Sequence, residues 1–111
     1  MSRNLAASVR KGASVFAALG DETRLRIVAR LATAGPLSIV RIAEHEAITR
    51  QAITKHLDVL AAVRLVHDLR RGRERLWRFD PAPLSDARGY LELVSASWDG
   101  TLARLQAFVE D

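Results

Sequence analysis

Polar and basic side chains recur on one face of a segment near the middle of the chain. Within residues 49–62, Ile53, Leu57 and Leu60 are spaced four and three apart, which places them on one side of an α-helix. The opposite side of its first two turns carries Arg50, Gln51, Thr54 and Lys55. Glutamine can pair bidentately with adenine, arginine with guanine, and a threonine methyl can contact thymine. The pattern therefore predicts that these four side chains contact base edges in the major groove of DNA.

A second basic segment follows, with six arginines against two acidic residues between positions 64 and 78. β-forming residues at 65–69 and 75–79 flank Gly72, which predicts a hairpin that turns at that glycine with a positive φ. Such a charged tip can protect an edge strand against aggregation, but arginine forks also suit phosphate oxygens. We favour phosphate contact, and the predicted contacts are Ser38, Thr49, Arg70, Arg71, Arg73 and Arg75.

Other elements must position the predicted base contacts and phosphate contacts, and the apolar spacing predicts five helices. The first spans 4–19, Asp21 caps the second, and Gly35-Pro36 ends it. Ser38 and Thr49 are the predicted caps of a third and a fourth helix, and a last helix spans 82–110. The predicted fold is mainly α with a small β-hairpin, in the order α-α-α-α-β-β-α. Residues 38–62 then form a helix-turn-helix and residues 64–80 its wing.

The first and last predicted helices carry more apolar surface than one small domain needs to cover. We therefore predict a homodimer that pairs through these two helices, although the last helix could instead fold back on its own core. The predicted interface residues are Leu5, Val9, Phe16, Leu91, Val94, Trp98, Leu102 and Leu105. Two-fold symmetry would match an inverted-repeat operator.

Composition narrows the class of protein further. A chain of 111 residues that is 49% apolar predicts one folded domain over 1–111, and a net charge of +4 favours an anionic partner. No cysteine is present, which excludes thiolate sites and fits the cytoplasm. We expect neither a signal peptide nor a membrane helix. No nucleophile elbow, P-loop or carboxylate pair occurs, so we expect no catalytic residues, no enzyme activity and no cofactor.

Four runs of residues resemble the ArsR/SmtB-type winged helix-turn-helix repressors. They are ALGDETRLRIV at 18–28, LSIVRIA at 37–43, TRQAITKHL at 49–57 and GRERLWRF at 72–79. The resemblance covers nearly the whole chain in the expected order. It implies a homodimer that binds a short inverted repeat in double-stranded DNA and represses nearby genes. It also implies packing or a phosphate contact for His56, which lies in a segment similar to the family's Ser-x-His-Leu signature.

The chain departs from the metal-sensing members of that family. The thiolate pair of their third helix would fall at Ser38 and Val40, and the last helix contains no histidine. His45, His56 and His67 lie on three different predicted elements, whereas zinc needs several donors within reach of one another. We therefore predict no metal site.

A second departure is local to the end of the fourth helix. The family usually has a glycine there, but this chain has Val63-Arg64. If Arg64 adopts a left-handed conformation, strain of about 1 kcal/mol is expected; otherwise the helix ends differently and the wing is displaced.

The combined prediction is a homodimeric, sequence-specific DNA-binding repressor that does not respond to metals. The alternative is a winged-helix module that binds protein or RNA without operator specificity. The polar face of the fourth helix favours duplex DNA, because side chains cannot read the deep major groove of RNA.

Overall fold

The computed structural model describes the backbone of residues 2–110 and the side chains of residues 6–110. The elements are α1 (Ser2–Leu19), α2 (Glu22–Ala34), α3 (Ile39–Ala43), α4 (Arg50–Ala62), β1 (Val66–Arg71), β2 (Glu74–Phe79) and α5 (Leu84–Glu110). This order confirms the predicted fold class. The first helix begins two residues earlier than predicted and the last begins two residues later.

A side-chain cap begins each of the helices α2, α3 and α4. The side-chain oxygens of Asp21, Ser38 and Thr49 accept hydrogen bonds from backbone amides three residues further on, at 3.0, 3.2 and 3.1 Å. Each bond satisfies an amide that a helix start otherwise leaves unpaired. The three predicted caps are confirmed.

The core lies between the first four helices, the base of the hairpin and the start of α5. The apolar stripe of α4, formed by Ile53, Leu57 and Leu60, is fully buried. It packs in one cluster with other buried side chains, namely Val15, Ala18, Ile27, Leu31, Ile42, Leu65, Val66, Trp77 and Ala87. Burying a large aliphatic side chain contributes about 1.5–3 kcal/mol, so this stripe fixes which face of α4 points outward.

The hairpin is longer and tighter than predicted. β1 and β2 pair antiparallel from Val66↔Phe79 to Arg71↔Glu74, so only Gly72 and Arg73 form the turn. Arg70 and Arg71, which we expected in the connection, belong to β1 instead. Gly72 has φ +64°, as predicted, and a positive φ at the first of two turn residues is typical of a type II′ turn.

The hairpin is attached to the helix-turn-helix through its second strand. Leu37 and Trp77 exchange two backbone hydrogen bonds of 3.0 and 2.8 Å just before α3 begins. The Trp77 side chain is 4% exposed and lies in the core cluster. The wing therefore holds a fixed position beside α3.

The end of α4 has the hydrogen bonding of a Schellman motif. The Leu65 amide donates to the Leu60 carbonyl at 3.0 Å, and the Arg64 amide donates to the Ala61 carbonyl at 2.9 Å. Arg64 occupies the left-handed position of this motif with φ +64°, where glycine is usual. Of the two alternatives that the sequence leaves open for this residue, the strained one is observed.

Replacing this arginine with glycine should therefore stabilise the fold. Arg64→Gly relieves the left-handed strain and adds some freedom to the unfolded chain, which leaves a net gain of about 0.5–1 kcal/mol in the free energy of unfolding. Urea denaturation measures it as a higher midpoint at an unchanged slope. Gly72→Ala serves as the control in the opposite direction, because its φ is also positive. A lower midpoint for Arg64→Gly would contradict the strain.

Candidate nucleic-acid interface

The outward face of α4 presents the four side chains predicted to contact bases. Arg50, Gln51 and Lys55 are exposed, whereas Thr54 is half-buried and its hydroxyl donates to the Arg50 carbonyl at 3.0 Å. Among the described residues, neither Arg50 nor Lys55 forms an ion pair. The donors of this face are therefore available to an external partner.

Arginines of α2 hold the turn that precedes α4. Arg26 Nε lies 2.9 and 3.2 Å from the two carboxylate oxygens of Glu46, whose side chain is only 3% exposed. This hydrogen bond to Glu46 raises the pKa of Arg26 above its usual range. Arg30 donates to the carbonyls of Ile42 and Arg41 at 2.9 and 3.1 Å. Two side chains of one helix thus fix the orientation of α3 and the turn.

The hydroxyl groups predicted to contact phosphate lie at the two helix starts of this motif. Ser38 is half-buried and Thr49 is exposed, and both oxygens accept from backbone amides as caps. A capping hydroxyl keeps its own proton, so each of these groups can still donate to a phosphate oxygen.

The wing arginines divide into two groups. Arg70, Arg71 and Arg73 are exposed and form no ion pair within the described part of the chain. Arg75 is different, because its Nε lies 3.2 Å from Asp68 Oδ2 and its guanidinium stands 4.8 Å from the centre of the Trp77 ring. Arg75 therefore braces the hairpin, whereas the other three extend into solvent.

His56 lies on the flank of α4 that faces the start of α2. Its side chain is 22% exposed, and its Nδ1 lies 3.3 Å from Arg24 Nη1 and 3.8 Å from Asp21 Oδ2. The pKa of Asp21 is lowered, chiefly by the backbone N–H of Arg24 and further by the nearby Arg24 guanidinium. The structure thus places His56 in a polar cluster beside the predicted base-contacting face.

The remaining histidines do not join His56. His67 Nε2 pairs with Asp80 Oδ2 at 3.0 Å at the base of the wing, and His45 lies in the turn after α3. Within residues 6–110, no group of three His, Cys, Asp or Glu side chains is placed to hold a metal ion.

Two polar contacts of the interface were not predicted from the sequence. They are the Arg26–Glu46 pair and the Arg24–His56 pair, which join residues 20 and 32 positions apart. Helical periodicity assigns a side chain to a face but does not identify its partner in another helix. The one local signal is Arg24 itself: it lies in the first turn of α2, close enough in sequence to the end of α1 for its side chain to reach the last carbonyls of that helix.

The first and last helices pack on each other and leave an apolar face uncovered. Phe16 meets Tyr90 edge-on with ring centres 5.8 Å apart, so this predicted interface residue packs at least partly within its own chain. The other predicted interface residues with described side chains are Val9, Leu91, Val94, Trp98, Leu102 and Leu105, which are 40–59% exposed. Leu5 lies outside the residues whose side chains are described. No described helix has the length and apolarity to cross a membrane.

Known proteins with similar sequences are transcriptional regulators. A family model described as a helix-turn-helix domain matches residues 19–68. The HTH-type transcriptional regulator Rv2034 of Mycobacterium tuberculosis is 36% identical over 76% of this chain and 89% of its own length. The transcriptional repressor SdpR of Bacillus subtilis is 30% identical over 70% of this chain and 86% of its own.

Solved structures agree with the sequence relatives. An ArsR-like transcriptional regulator from Rhodococcus sp. RHA1 superposes with a TM-score of 0.78 at 38% identity, over 92% of this chain and 95% of that one. The homodimeric winged helix-turn-helix domain of Mb0332 from Mycobacterium bovis, a possible ArsR-family regulator, gives 0.64 at 26% identity, over 94% and 93%. The chain belongs to the ArsR family of winged helix-turn-helix transcriptional regulators.

Proposed function

We propose that this protein is a homodimeric repressor that binds an inverted-repeat DNA operator through α4 and the wing. One observation carries the proposal: the apolar stripe of α4 is fully buried while Arg50, Gln51 and Lys55 on its other side are exposed. A rigidly packed helix with unpaired donors at its N-terminal end suits the major groove of DNA.

Within that helix, position determines the proposed role. Gln51 and Arg50 lie in the first turn, where a recognition helix approaches base edges most closely, and each can form a bidentate pair with a purine. Lys55 and Thr54 follow one turn later. The capping hydroxyls of Ser38 and Thr49 flank the helix and suit backbone phosphates on either side.

The wing contributes affinity that does not depend on sequence. Arg73 at the turn and Arg70 and Arg71 in β1 are exposed, so they can neutralise phosphate charge and release counterions. Arg75 is held by Asp68 and Trp77. We therefore assign it to shaping the hairpin and only secondarily to phosphate contact.

The uncovered face of α5 supports pairing of two chains. Trp98 is 59% exposed and Phe108 is 82% exposed, and together with Leu91, Leu102 and Leu105 of the same helix they form a long apolar surface on a small protein. Monomeric proteins seldom leave such a surface uncovered. The similar Mb0332 domain is homodimeric. We propose that α1 and α5 form the corresponding interface here.

Two finer parts of the proposal concern regulation. Repression is supported by the similarity to SdpR, a transcriptional repressor. Independence from metal is supported by the chemistry of the chain, which has no thiolates and keeps its three histidines on separate elements.

The division between α4 and the wing is tested with two substitutions on an operator selected from random duplexes. Gln51→Ala should cost about 1–3 kcal/mol on the selected sequence and much less on other sequences, because it removes a base contact. Arg73→Ala should weaken binding to all duplexes alike. It should also reduce the slope of log affinity against log salt concentration by about 0.9 for each phosphate that the variant no longer neutralises. Titration at several salt concentrations measures both effects.

Arg104→Ala provides the control: this arginine is exposed near the end of α5 and bonds only to Thr101 of the same helix, so the variant removes the same charge away from α4, the wing and the apolar face of α5. Identical behaviour of the Gln51 and Arg73 variants would contradict the assignment. Equal affinity of the wild-type protein for every duplex and for double-stranded RNA would favour the alternative of a module without operator specificity.

The proposed dimer is tested at Trp98. Trp98→Glu places a charge in the uncovered apolar face of α5, so the protein should sediment as a monomer at concentrations where the wild type is a dimer. Leu93→Glu is the matched control, because Leu93 is also exposed on α5, at 45%, but lies outside the apolar face that contains Trp98. A wild-type protein that is monomeric at micromolar concentration would overturn the dimer.

The proposed independence from metal is tested by titration with zinc. Affinity for the selected operator should stay within about twofold when zinc is added or chelated, because the described side chains include no group of three donors placed to hold the ion. Release of the DNA by stoichiometric zinc would contradict this part of the proposal.

A further inference from the structure

One arginine joins three helices at the side of the proposed DNA interface. Arg24 donates from Nε to the Ala18 carbonyl and from Nη2 to the Ala17 carbonyl at 3.4 Å, at the end of α1. Carbonyls in the last turn of a helix lack the usual backbone partner four residues on. Arg24 therefore satisfies the Ala18 carbonyl and adds a second donor to the Ala17 carbonyl, which also accepts from the Gly20 amide at 3.3 Å. The third nitrogen, Nη1, lies 3.3 Å from His56 Nδ1 in α4.

The direction of this last hydrogen bond fixes the protonation of the imidazole. A guanidinium group has five N–H donors and no acceptor, so His56 Nδ1 must accept. Asp21 Oδ2 is 3.8 Å from the same nitrogen, which is too far for a hydrogen bond. A neutral imidazole that accepts at Nδ1 carries its single proton on Nε2.

The protonated nitrogen is left without a partner inside the protein. Among the described residues, no group forms a hydrogen bond with His56 Nε2. Trp77 Nε1 is the one described side-chain nitrogen or oxygen that is both buried and unpaired, so His56 Nε2 is not buried. It therefore reaches solvent, in the residue directly after Lys55 on the recognition helix. A backbone phosphate at the edge of the major groove is the acceptor that this position would meet.

We infer that Arg24 is a positioning residue that holds His56 as an Nε2–H donor to a DNA phosphate. This inference rests on the proposed function, because the phosphate belongs to the bound operator. Arg24 also ties the recognition helix to the end of α1, so the donor is placed relative to the helix that we assign to the dimer. Lysine cannot replace it, since one ammonium group cannot span two carbonyls and an imidazole at once.

The first test measures the tautomer in the free protein. Two-bond nitrogen–proton NMR correlations of ¹⁵N-labelled protein at pH 8 should show His56 protonated at Nε2 only. In Arg24→Lys, this preference should disappear and both tautomers should be observed. Arg30→Lys is the matched control, because Arg30 also donates to two backbone carbonyls from α2 but does not contact a histidine. It should leave the His56 spectrum unchanged.

The second test measures affinity for the selected operator. Arg24→Lys and His56→Leu should each weaken binding about tenfold, the scale of removing one hydrogen bond to a charged acceptor. Arg104→Lys is the control for affinity and should change it less than about twofold, because Arg104 bonds only to Thr101 of its own helix. His56→Gln should retain most of the affinity, because its amide can accept from Arg24 and donate outward. The salt dependence should stay the same in every variant, since a neutral donor releases no counterion.

The outcomes separate this inference from the proposed function. An Nδ1–H imidazole in the wild-type protein overturns the inference, needs no variant to fold and leaves DNA binding untouched. Wild-type affinity in Arg24→Lys overturns it as well. A wild-type protein that retains no duplex DNA at low salt instead overturns the proposed function, whichever nitrogen of His56 carries the proton.

Discussion

The burial of one apolar stripe on α4 is the constraint on which the rest of the interface depends. Ile53, Leu57 and Leu60 have no exposed surface, and their neighbours come from α2, α3 and the base of the wing. Rotating the helix would expose all three, at a cost of about 1.5–3 kcal/mol for each side chain. The polar side of the helix therefore has a single outward direction. Two further contacts hold the same region: Arg26 pairs with Glu46 in the turn before α4, and Arg24 contacts His56 in α4 itself.

The parts of the fold that are local in sequence could be predicted from it. The caps at Asp21, Ser38 and Thr49, the glycine turn at Gly72 and the two faces of α4 each depend on residues within about one helical turn of one another. The ends of the hairpin could not be predicted in the same way. Arg70 and Arg71 have no strong preference for strands, and they join β1 because pairing with β2 continues to the shortest possible turn.

Contacts between distant residues were beyond the reach of the same reasoning. Glu46 has the type of side chain expected at the surface. In the turn before α4 it is nearly buried, because Arg26 of α2 neutralises its charge. Phe16 has the spacing of an interface residue, yet it packs on Tyr90 of α5. In both cases the partner depends on how α2 packs against the turn before α4, or α1 against α5, and not on the residues next to it in the sequence. The sequence thus predicts which face of a helix a site residue occupies, whereas its contact partner is known only from the tertiary structure.

Because the turn of the hairpin has only two residues, Arg70 and Arg71 both lie within β1, and this limits the directions in which their side chains point. Successive side chains of a strand point to opposite sides, so in the proposed complex Arg70 and Arg71 would face different phosphate strands. The minor groove is about 6 Å wide and has such a wall on each side. A hairpin laid along it would offer one guanidinium to the left and one to the right. Lengthening β1 by a single residue would exchange the two sides without altering the net charge of the protein.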